Sequence, residues 1–276
     1  MTGEEHQRRT RLPFASFADR DDDTVQGHWL LARLGKRVLR PGGVELTRNL
    51  LSHARLTDAD VVELAPGLGR TAAEVIARRP RSYQGVDQDP EAVEAVRPIV
   101  GDHGEVRVAD ASDTGLPDAG ADVVIGEAML TMQGERAKNA IIAEAVRLLR
   151  PGGRYAIHEL ALTPDDLPEE AKEDIRRGLA KAIRVNARPL TPAEWRQLLG
   201  EHGLIVDHVL TAPMALLQPR RLIADEGLLG TLRFARNVLT HPDARRRILA
   251  MRATFRAHHD HLDAIAVIAR KPSTPT

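Results

Sequence analysis

Three acidic residues stand at regular intervals in the first half of the chain. Glu63, Asp87 and Asp110 are separated by 24 and 23 residues, and each lies at or soon after the end of a short apolar run. An interval of that size is the length of one strand–helix unit, so the three carboxylates are expected at successive strand ends of a parallel sheet. Open parallel sheets bind ligands at that edge, where carboxylates accept hydrogen bonds. The spacing therefore predicts a ligand site.

A glycine-containing turn follows the first of these acids. The segment Glu63–Gly69 runs from an apolar strand into a helix, and glycine suits such a turn because it tolerates positive φ and close approach of a ligand. The stretch from Gly67 to Ala72 also satisfies the G-x-G-x-x-A form of a dinucleotide fingerprint. A nicotinamide-dependent, NAD(P)-binding Rossmann oxidoreductase is therefore an alternative. An oxidoreductase would have no role for Glu63 or Asp110, and the sequence shows no catalytic tyrosine–lysine pair.

Candidates for a general base lie at the ends of two later strands. His158 and Glu159 close the fifth apolar run, and Glu127 follows the fourth. Histidine titrates near neutral pH and suits proton abstraction. Because side chains alternate along a strand, His158 and Glu159 are expected on opposite faces of the sheet, so at most one of them faces the substrate. The alternatives are a histidine bonded to the backbone and acids in contact with cofactor or solvent.

Short apolar runs alternate with amphipathic stretches from residue 59 onward, and this alternation predicts a doubly wound α/β fold. Helical spacing of apolar residues separates most of the runs. The predicted strands are Asp60–Leu64, Tyr83–Asp87, Val106–Val108, Asp122–Ile125, Arg154–His158, Leu204–Leu210 and Asp263–Ala269.

The remaining segments predict accessory structure around this sheet. Residues 1–23 are polar and without period, which predicts a flexible arm, and residues 24–58 predict an N-terminal helical cap. A Rossmann-like domain is expected over 59–276. Two helical insertions, at about 163–190 and 218–260, are candidates for a lid.

These motifs, in this order and at this spacing, resemble the class I S-adenosylmethionine-dependent methyltransferases. The likeness is to the small-molecule branch that includes the ubiquinone- and menaquinone-biosynthesis enzymes (methyltransferase type 11), and it covers roughly residues 59–212. It rests on Glu63–Gly69, Gly85–Pro90, Val108–Ala111, Leu116–Asp118, Asp122–Ile125, Leu148–Gly153 and Glu194 through Gly203. The resemblance implies a seven-stranded Rossmann-like sheet with the last strand antiparallel. It also implies S-adenosylmethionine as cofactor and S-adenosylhomocysteine as product.

The family pattern implies roles for individual residues. Asp87 would accept hydrogen bonds from the ribose hydroxyls, and Asp110 from the adenine amine. Glu63 replaces the commoner aspartate, and Ala65 replaces the usual first glycine of the turn. The residues assigned to the cofactor by the resemblance are Glu63, Ala65, Gly67, Gly69, Asp87, Gln88, Asp110, Ala111 and Gly126.

Composition excludes several other kinds of protein. The 276-residue chain has no cysteine, which rules out disulfides, thiolate metal sites and covalent attack on cytosine C5. Its 39 basic and 39 acidic residues balance, which disfavours a dedicated nucleic-acid binder. No apolar run approaches membrane-spanning length, so a cytoplasmic protein is expected. No metal site is predicted, because the histidines within His258–His261 point in different directions on a helix.

Arginines gather in the second insertion. Most are expected on the solvated face of an amphipathic helix. A further hypothesis is that one or two of them bind an acidic small-molecule acceptor, since a guanidinium binds carboxylate or phosphate in two places. The nine arginines are Arg220, Arg221, Arg233, Arg236, Arg245, Arg246, Arg247, Arg252 and Arg256.

Two more functions are compatible with the same fold. A non-catalytic protein could keep the cofactor-binding sheet and lack methyl transfer. An aminopropyltransferase could use the same sheet, although the sequence has no obvious aspartate-rich site for a diamine. Both stay open beside the methyltransferase and the oxidoreductase.

Overall fold

The fold is described from a computed structural model, which covers residues 27–36, 39–214 and 216–273. The predicted arm at residues 1–23 lies outside these ranges. Within them, no helix is long and apolar enough to cross a membrane.

The strands form one seven-stranded sheet with the order β3-β2-β1-β4-β5-β7-β6. Strand β7 is antiparallel to both of its neighbours, and the other pairs are parallel. The predicted doubly wound α/β sheet with an antiparallel last strand is thereby confirmed. The strands are β1 (Asp60–Leu64), β2 (Ser82–Asp87), β3 (Gly104–Val108), β4 (Ala121–Glu127), β5 (Leu149–Leu162), β6 (Ile205–Pro213) and β7 (Leu262–Arg270).

The order of the strands creates a crevice next to β1. From β1 the chain runs outward through β2 to β3, and it then returns to place β4 on the other side of β1. The connections leaving the two central strands therefore diverge, and ligands of open α/β sheets bind at such a switch point. The carboxyl ends of β1 and β4 are the place where the sequence puts Glu63 and Glu127.

Helices cover both faces of the sheet and form a separate cap. Two apolar clusters lie on opposite sides of the strands, one packed mainly by α2, α3 and α4 and the other by α5 and α7. The helices are α1 (Gly27–Arg33), α2 (Gly43–Ala54), α3 (Arg70–Ile76), α4 (Pro90–Val100), α5 (Glu135–Leu148), α6 (Glu169–Ile183), α7 (Pro192–Glu201), α8 (Pro219–Thr240) and α9 (Pro242–Ala257).

A third apolar cluster unites the cap. It joins α1 to the insertion helices α6, α8 and α9 through residues such as Leu31, Leu179, Phe234 and Met251. The two helices of the predicted N-terminal cap, residues 24–58, belong to different parts of the fold. Helix α1 packs with the insertion helices, and α2 lies on the sheet. Helix α2 has a continuous apolar face that packs against β5 and β7. This position removes more of the apolar face from water than a place at the periphery would.

Candidate active site at the switch point

The turn after β1 has the backbone conformation that a glycine loop requires. Gly67 and Gly69 have φ of +54° and +72°, and Gly69 is the N-cap of α3. Ala65, which stands where the family has glycine, has the same left-handed conformation with φ of +54°. Its N–H donates to the Val86 carbonyl at 2.7 Å, so the chain turns immediately after the last ladder position of β1. A residue with a Cβ is strained in this region, by about 1–2 kcal/mol.

Asp87, at the end of β2, is bound to this turn. One carboxylate oxygen accepts a hydrogen bond from Gly67 N–H, and the other accepts one from Asp89 N–H, each at 3.0 Å. Burial raises the pKa of Asp87, and the two amide hydrogen bonds oppose the rise. The structure thus brings the glycine turn and the second acid into direct contact.

Glu63 lies deeper in the same edge of the sheet. Its side chain is buried, and Oε2 accepts a hydrogen bond from the Tyr83 hydroxyl at 2.7 Å. Burial raises the pKa of Glu63 to about 8, against the hydrogen bond from Tyr83 that lowers it. Among the described residues no cation lies within 4.0 Å of this carboxyl group, and the more distant Arg40 charge does not outweigh burial. The group is therefore suited to bind a cationic ligand, which would favour its ionised form.

The third acid is in a different environment. Asp110 is exposed, and its Oδ1 accepts hydrogen bonds from the N–H and the hydroxyl of Ser112, each at 2.7 Å. These bonds lower the pKa of Asp110 and keep it ionised. Gln88 is exposed and Ala111 half-buried on the same rim, which leaves these groups accessible to a ligand over β2 and β3.

A buried polar cluster surrounds Glu127 at the end of β4. Its Oε2 lies 3.0 Å from Arg40 Nη1 and accepts a hydrogen bond from the Thr71 hydroxyl. Its Oε1 accepts from the Thr47 hydroxyl at 2.6 Å and lies 3.0 Å from His158 Nδ1. Burial alone would raise the pKa of Glu127, but the Arg40 charge and the His158 contact outweigh burial and lower it to about 2. The carboxylate therefore joins α2, α3, β4 and β5.

His158 is fully buried inside this cluster. Gly42 N–H donates to its Nε2 at 3.1 Å, so Nε2 is an acceptor and the proton of the neutral ring is on Nδ1, facing Glu127. Both ring nitrogens thus have protein partners. This arrangement gives His158 a role in holding the start of α2 against the strand ends.

Glu159 lies on the opposite face, as strand alternation predicts. Its Oε1 accepts hydrogen bonds from the N–H groups of Met129 and Leu130, and its Oε2 accepts from the N–H and hydroxyl of Thr131. A carboxylate accepts about four hydrogen bonds, and these four donors occupy all of those positions. Burial raises the pKa of Glu159, and these four hydrogen bonds oppose the rise. The side chain fixes the turn that follows β4.

An apolar cavity opens beside that turn. It contains about 550 Å³ of empty space, adjoining solvent included, and brings together the cap and the strand ends. Ala128, directly after β4, has φ of +54° like Ala65 and lies in the cavity wall. We call this space the apolar cavity; its lining is Leu31, Leu39, Pro41, Ala128, Thr131, Met132, Glu159, Leu160, Ile183, Met214, Leu216, Met251 and Phe255.

Sequence reasoning missed the partners of Glu127. Arg40 and Thr47 precede the sheet by many residues, and neither belongs to a motif. Thr71 stands two residues after Gly69, and a hydroxyl at the start of a helix that faces the switch point is a signal that could have identified it. The Arg40–Glu127 contact spans 87 positions and carries no local signature.

Known proteins match the chain over one domain and over most of its length. A family model described as "Methyltransferase domain" matches residues 61–153, about a third of the chain. An uncharacterized protein of Haemophilus influenzae is 35% identical over 251 residues, which cover 89% of this chain and 98% of the relative. That relative extends the similarity well beyond the matched domain, into the cap helices.

Solved structures share the fold at low identity. A phosphoethanolamine N-methyltransferase of Haemonchus contortus, solved with phosphomonomethylethanolamine and S-adenosylhomocysteine, has a TM-score of 0.65 and 16% identity, covering 93% of this chain and 60% of that one. The [4+2]-cyclase SpnF has a TM-score of 0.64 and 15% identity, covering 83% and 81%. At such identities the likeness concerns the fold.

The family follows from the domain match, the long relative and the arrangement of the switch point together. The positive-φ turn, the buried acid of β2 and the acid of β1, with which no described cation pairs, fit S-adenosylmethionine, whose ribose hydroxyls and ammonium group need such acceptors. The chain belongs to the class I S-adenosylmethionine-dependent methyltransferases, and S-adenosylmethionine is its cofactor.

Proposed function

We propose that this enzyme transfers a methyl group from S-adenosylmethionine to a small-molecule acceptor seated in the apolar cavity, by in-line displacement. The observation that carries the proposal is the position of that cavity. Its wall begins at Ala128, the residue that follows the buried carboxylate of β4, and it is roofed by the cap. An acceptor there would lie beside the switch point and out of bulk water, where alignment supplies much of the rate.

The cofactor would occupy the ends of β1, β2 and β3. Asp87 would accept from the ribose hydroxyls, Asp110 from the adenine amine with Ala111 nearby, and Glu63 would meet the ammonium group. The backbone at Ala65, Gly67 and Gly69 would contact the methionine portion, with Gly126 at its reactive end. Support comes from the positive φ values of the turn and from the burial of Glu63 and Asp87.

The proposed acceptor needs little help from a protein base. Among the described residues that line the apolar cavity, Glu159 is the one titratable side chain, and four donors occupy its oxygens. His158 and Glu127 are engaged with each other and with the segment that leads into α2. That one of these three residues is a general base stays a prediction; the geometry favours holding roles. An acceptor atom that is already nucleophilic at neutral pH fits this cavity.

The test is transfer of label. The enzyme would be incubated with methyl-tritiated S-adenosylmethionine and a small-molecule metabolite extract, and the products separated by reversed-phase chromatography. We expect label in a retained, protein-dependent product that disappears with Asp87→Asn. Tight cofactor binding without a labelled product in any extract would instead support a non-catalytic protein, and binding of reduced nicotinamide cofactor in place of S-adenosylmethionine would support the oxidoreductase.

A further inference from the structure

A second pocket adjoins the apolar cavity and has a different lining. It is bounded by Arg220 at the start of α8, by Arg252 and Arg256 on α9, and by an apolar floor that includes Leu217. It contains about 1280 Å³ of empty space, adjoining solvent included. We call it the arginine pocket. Arg252 and Arg256 are four positions apart, so both project from one face of α9.

The two spaces share a wall. Met214, Leu216 and Phe255 line the apolar cavity and the arginine pocket alike. The apolar cavity and the guanidinium groups are therefore adjacent, with these side chains at their common boundary. Methionine and phenylalanine contribute an apolar boundary with adaptable shape, which suits the middle of an elongated ligand.

The three guanidinium groups have no counter-charge among the residues that the structure describes. Among the described residues, no carboxylate lies within 4.0 Å of Arg220, Arg252 or Arg256. The acid on that side, Asp260, is 3.1 Å from His259, which also lines the pocket. Elsewhere in the insertion, Arg221 lies 3.7 Å from Glu45 and Arg246 lies 2.7 Å from Asp243. Arg233, Arg236 and Arg245 have no described carboxylate within 4.0 Å either, but they do not line this pocket. Three unpaired arginines around one apolar floor form a surface complementary to an anion.

The first turn of α8 adds to this field. Gln218 is its N-cap, has no side-chain capping bond and lines the same pocket. Pro219, the first helical residue, has no N–H, so the free donors of this turn are the N–H groups after it. The positive end of the helix dipole adds to the field of the three guanidinium groups.

From this juxtaposition we infer that the methyl acceptor is an amphipathic anion, with an apolar part in the apolar cavity and a carboxylate or phosphate group, remote from the methylated atom, held by Arg220, Arg252 and Arg256. The inference rests on the proposed function for the position of methyl transfer. It narrows the nine arginines of the insertion to the three that face one pocket.

The binding test uses a pair of probes with the same aromatic body. Anilinonaphthalene sulfonate carries an anionic group, and N-phenylnaphthylamine lacks it; both report binding by fluorescence. We expect wild-type enzyme to bind the sulfonate more tightly, and Arg252→Gln/Arg256→Gln to weaken sulfonate binding by about tenfold or more while changing the neutral probe by less than about twofold. Arg220→Gln, on the other helix, should weaken the sulfonate in the same direction.

The matched control is Arg236→Gln/Arg245→Gln, which removes two exposed positive charges from the same two helices outside the pocket. We expect it to bind both probes as wild type does. Displacement of the sulfonate by octanoate, octyl phosphate and octanol then separates carboxylate from phosphate recognition, with the neutral alcohol weakest. Equal loss in the control, equal loss of both probes, equal displacement by octanol, or no preference of wild type for the sulfonate would overturn the inference.

A labelling arm separates this inference from the proposed function. Products of the tritium-transfer assay would be passed over an anion exchanger, and we expect the label to be retained and to fall in Arg252→Gln/Arg256→Gln through an increase in KM. Label in neutral or cationic products would overturn the anionic acceptor while leaving small-molecule methylation intact. Absence of any labelled product would count against the proposed function, and the probe titrations would still decide the arginine pocket.

Discussion

The ends of β1 and β4 are neighbours with the same local design and opposite electrostatics. Each ends near a buried glutamate and is followed by an alanine with φ of +54° whose N–H donates to the next strand at 2.7 Å. Yet the pKa of Glu63 is raised to about 8, while that of Glu127 is lowered to about 2. The difference comes mainly from direct partners. Arg40 pairs with Glu127 at 3.0 Å, and His158 and Thr47 also lower the Glu127 pKa. Glu63 has the Tyr83 hydroxyl as its hydrogen-bond partner, and the more distant Arg40 charge opposes burial there without outweighing it.

This contrast shows how one strand end remains open to a ligand while the next is closed. Burial opposes ionisation at both positions, and only a paired cation reverses it. At β4 the protein supplies that cation from the segment before α2, and the pair holds this segment against the strand ends. At β1 no cation of the described residues pairs with Glu63, which suits a cationic group arriving with the cofactor.

The largest effect expected is on cofactor binding. Asp87→Asn replaces a carboxylate that would bind two ribose hydroxyls, and charge-assisted hydrogen bonds contribute about 1.5–3 kcal/mol each. We expect S-adenosylmethionine to bind about 100-fold more weakly or worse by calorimetry. Asp110→Asn, at the exposed rim, should have a smaller effect. Near-wild-type affinity for Asp87→Asn would remove β2 from the cofactor site.

The paired side of the comparison is tested by Glu127→Gln. The change leaves Arg40 buried without its counter-charge, and breaking a buried pair in this way costs about 3–5 kcal/mol. Urea denaturation at pH 7 should show a loss of that order. The second variant, Arg40→Met/Glu127→Gln, should recover much of it because no charge is left behind. A cost below about 0.5 kcal/mol in the single variant would mean that the pair is not a structural anchor.

The end of β1, where no described cation pairs with Glu63, is tested by the pH dependence of the free energy of unfolding of Glu63→Gln and wild type. A carboxyl group whose folded pKa is about 8 instead of 4.5 favours the folded state below pH 4.5, and that contribution is lost as the pH rises through about 8. Without cofactor, Glu63→Gln should therefore be more stable than wild type at pH 9, by about 4–5 kcal/mol, and closer to it at pH 5. Denaturation curves of both proteins at the two pH values decide this. A constant difference between them would show that Glu63 of the folded protein does not titrate between pH 5 and pH 9.

The smallest effect concerns the shared backbone conformation. Ala65→Gly relieves a left-handed alanine and should raise the free energy of unfolding by up to about 1 kcal/mol, since glycine adopts positive φ without strain. The matched control is Ala73→Gly in the exposed face of α3, which should lower it by a similar amount. If both variants lose stability equally, the conformation of Ala65 stores no strain.

Much of the proposed cofactor site, at the ends of β1, β2 and β3, could be predicted from the sequence. Strand ends follow from apolar runs, glycine turns from residue type, and the interval from Glu63 to Asp87 to Asp110 from the length of a strand–helix unit. The surroundings of the proposed acceptor could not be predicted from the sequence. Its candidate bases His158 and Glu159 are identifiable as strand-end residues, but their hydrogen-bond partners come from distant segments, and those partners assign them holding roles.

The α/β architecture, the glycine turn and the order of the three acids could be read from the chain without any contact being known, because periodicity and spacing are local properties. Folding was needed to bring Arg40 to Glu127 and to place three arginines behind a wall of the apolar cavity. The ionisation of a buried carboxylate and the lining of a pocket depend on which remote side chains surround them, and packing alone sets that.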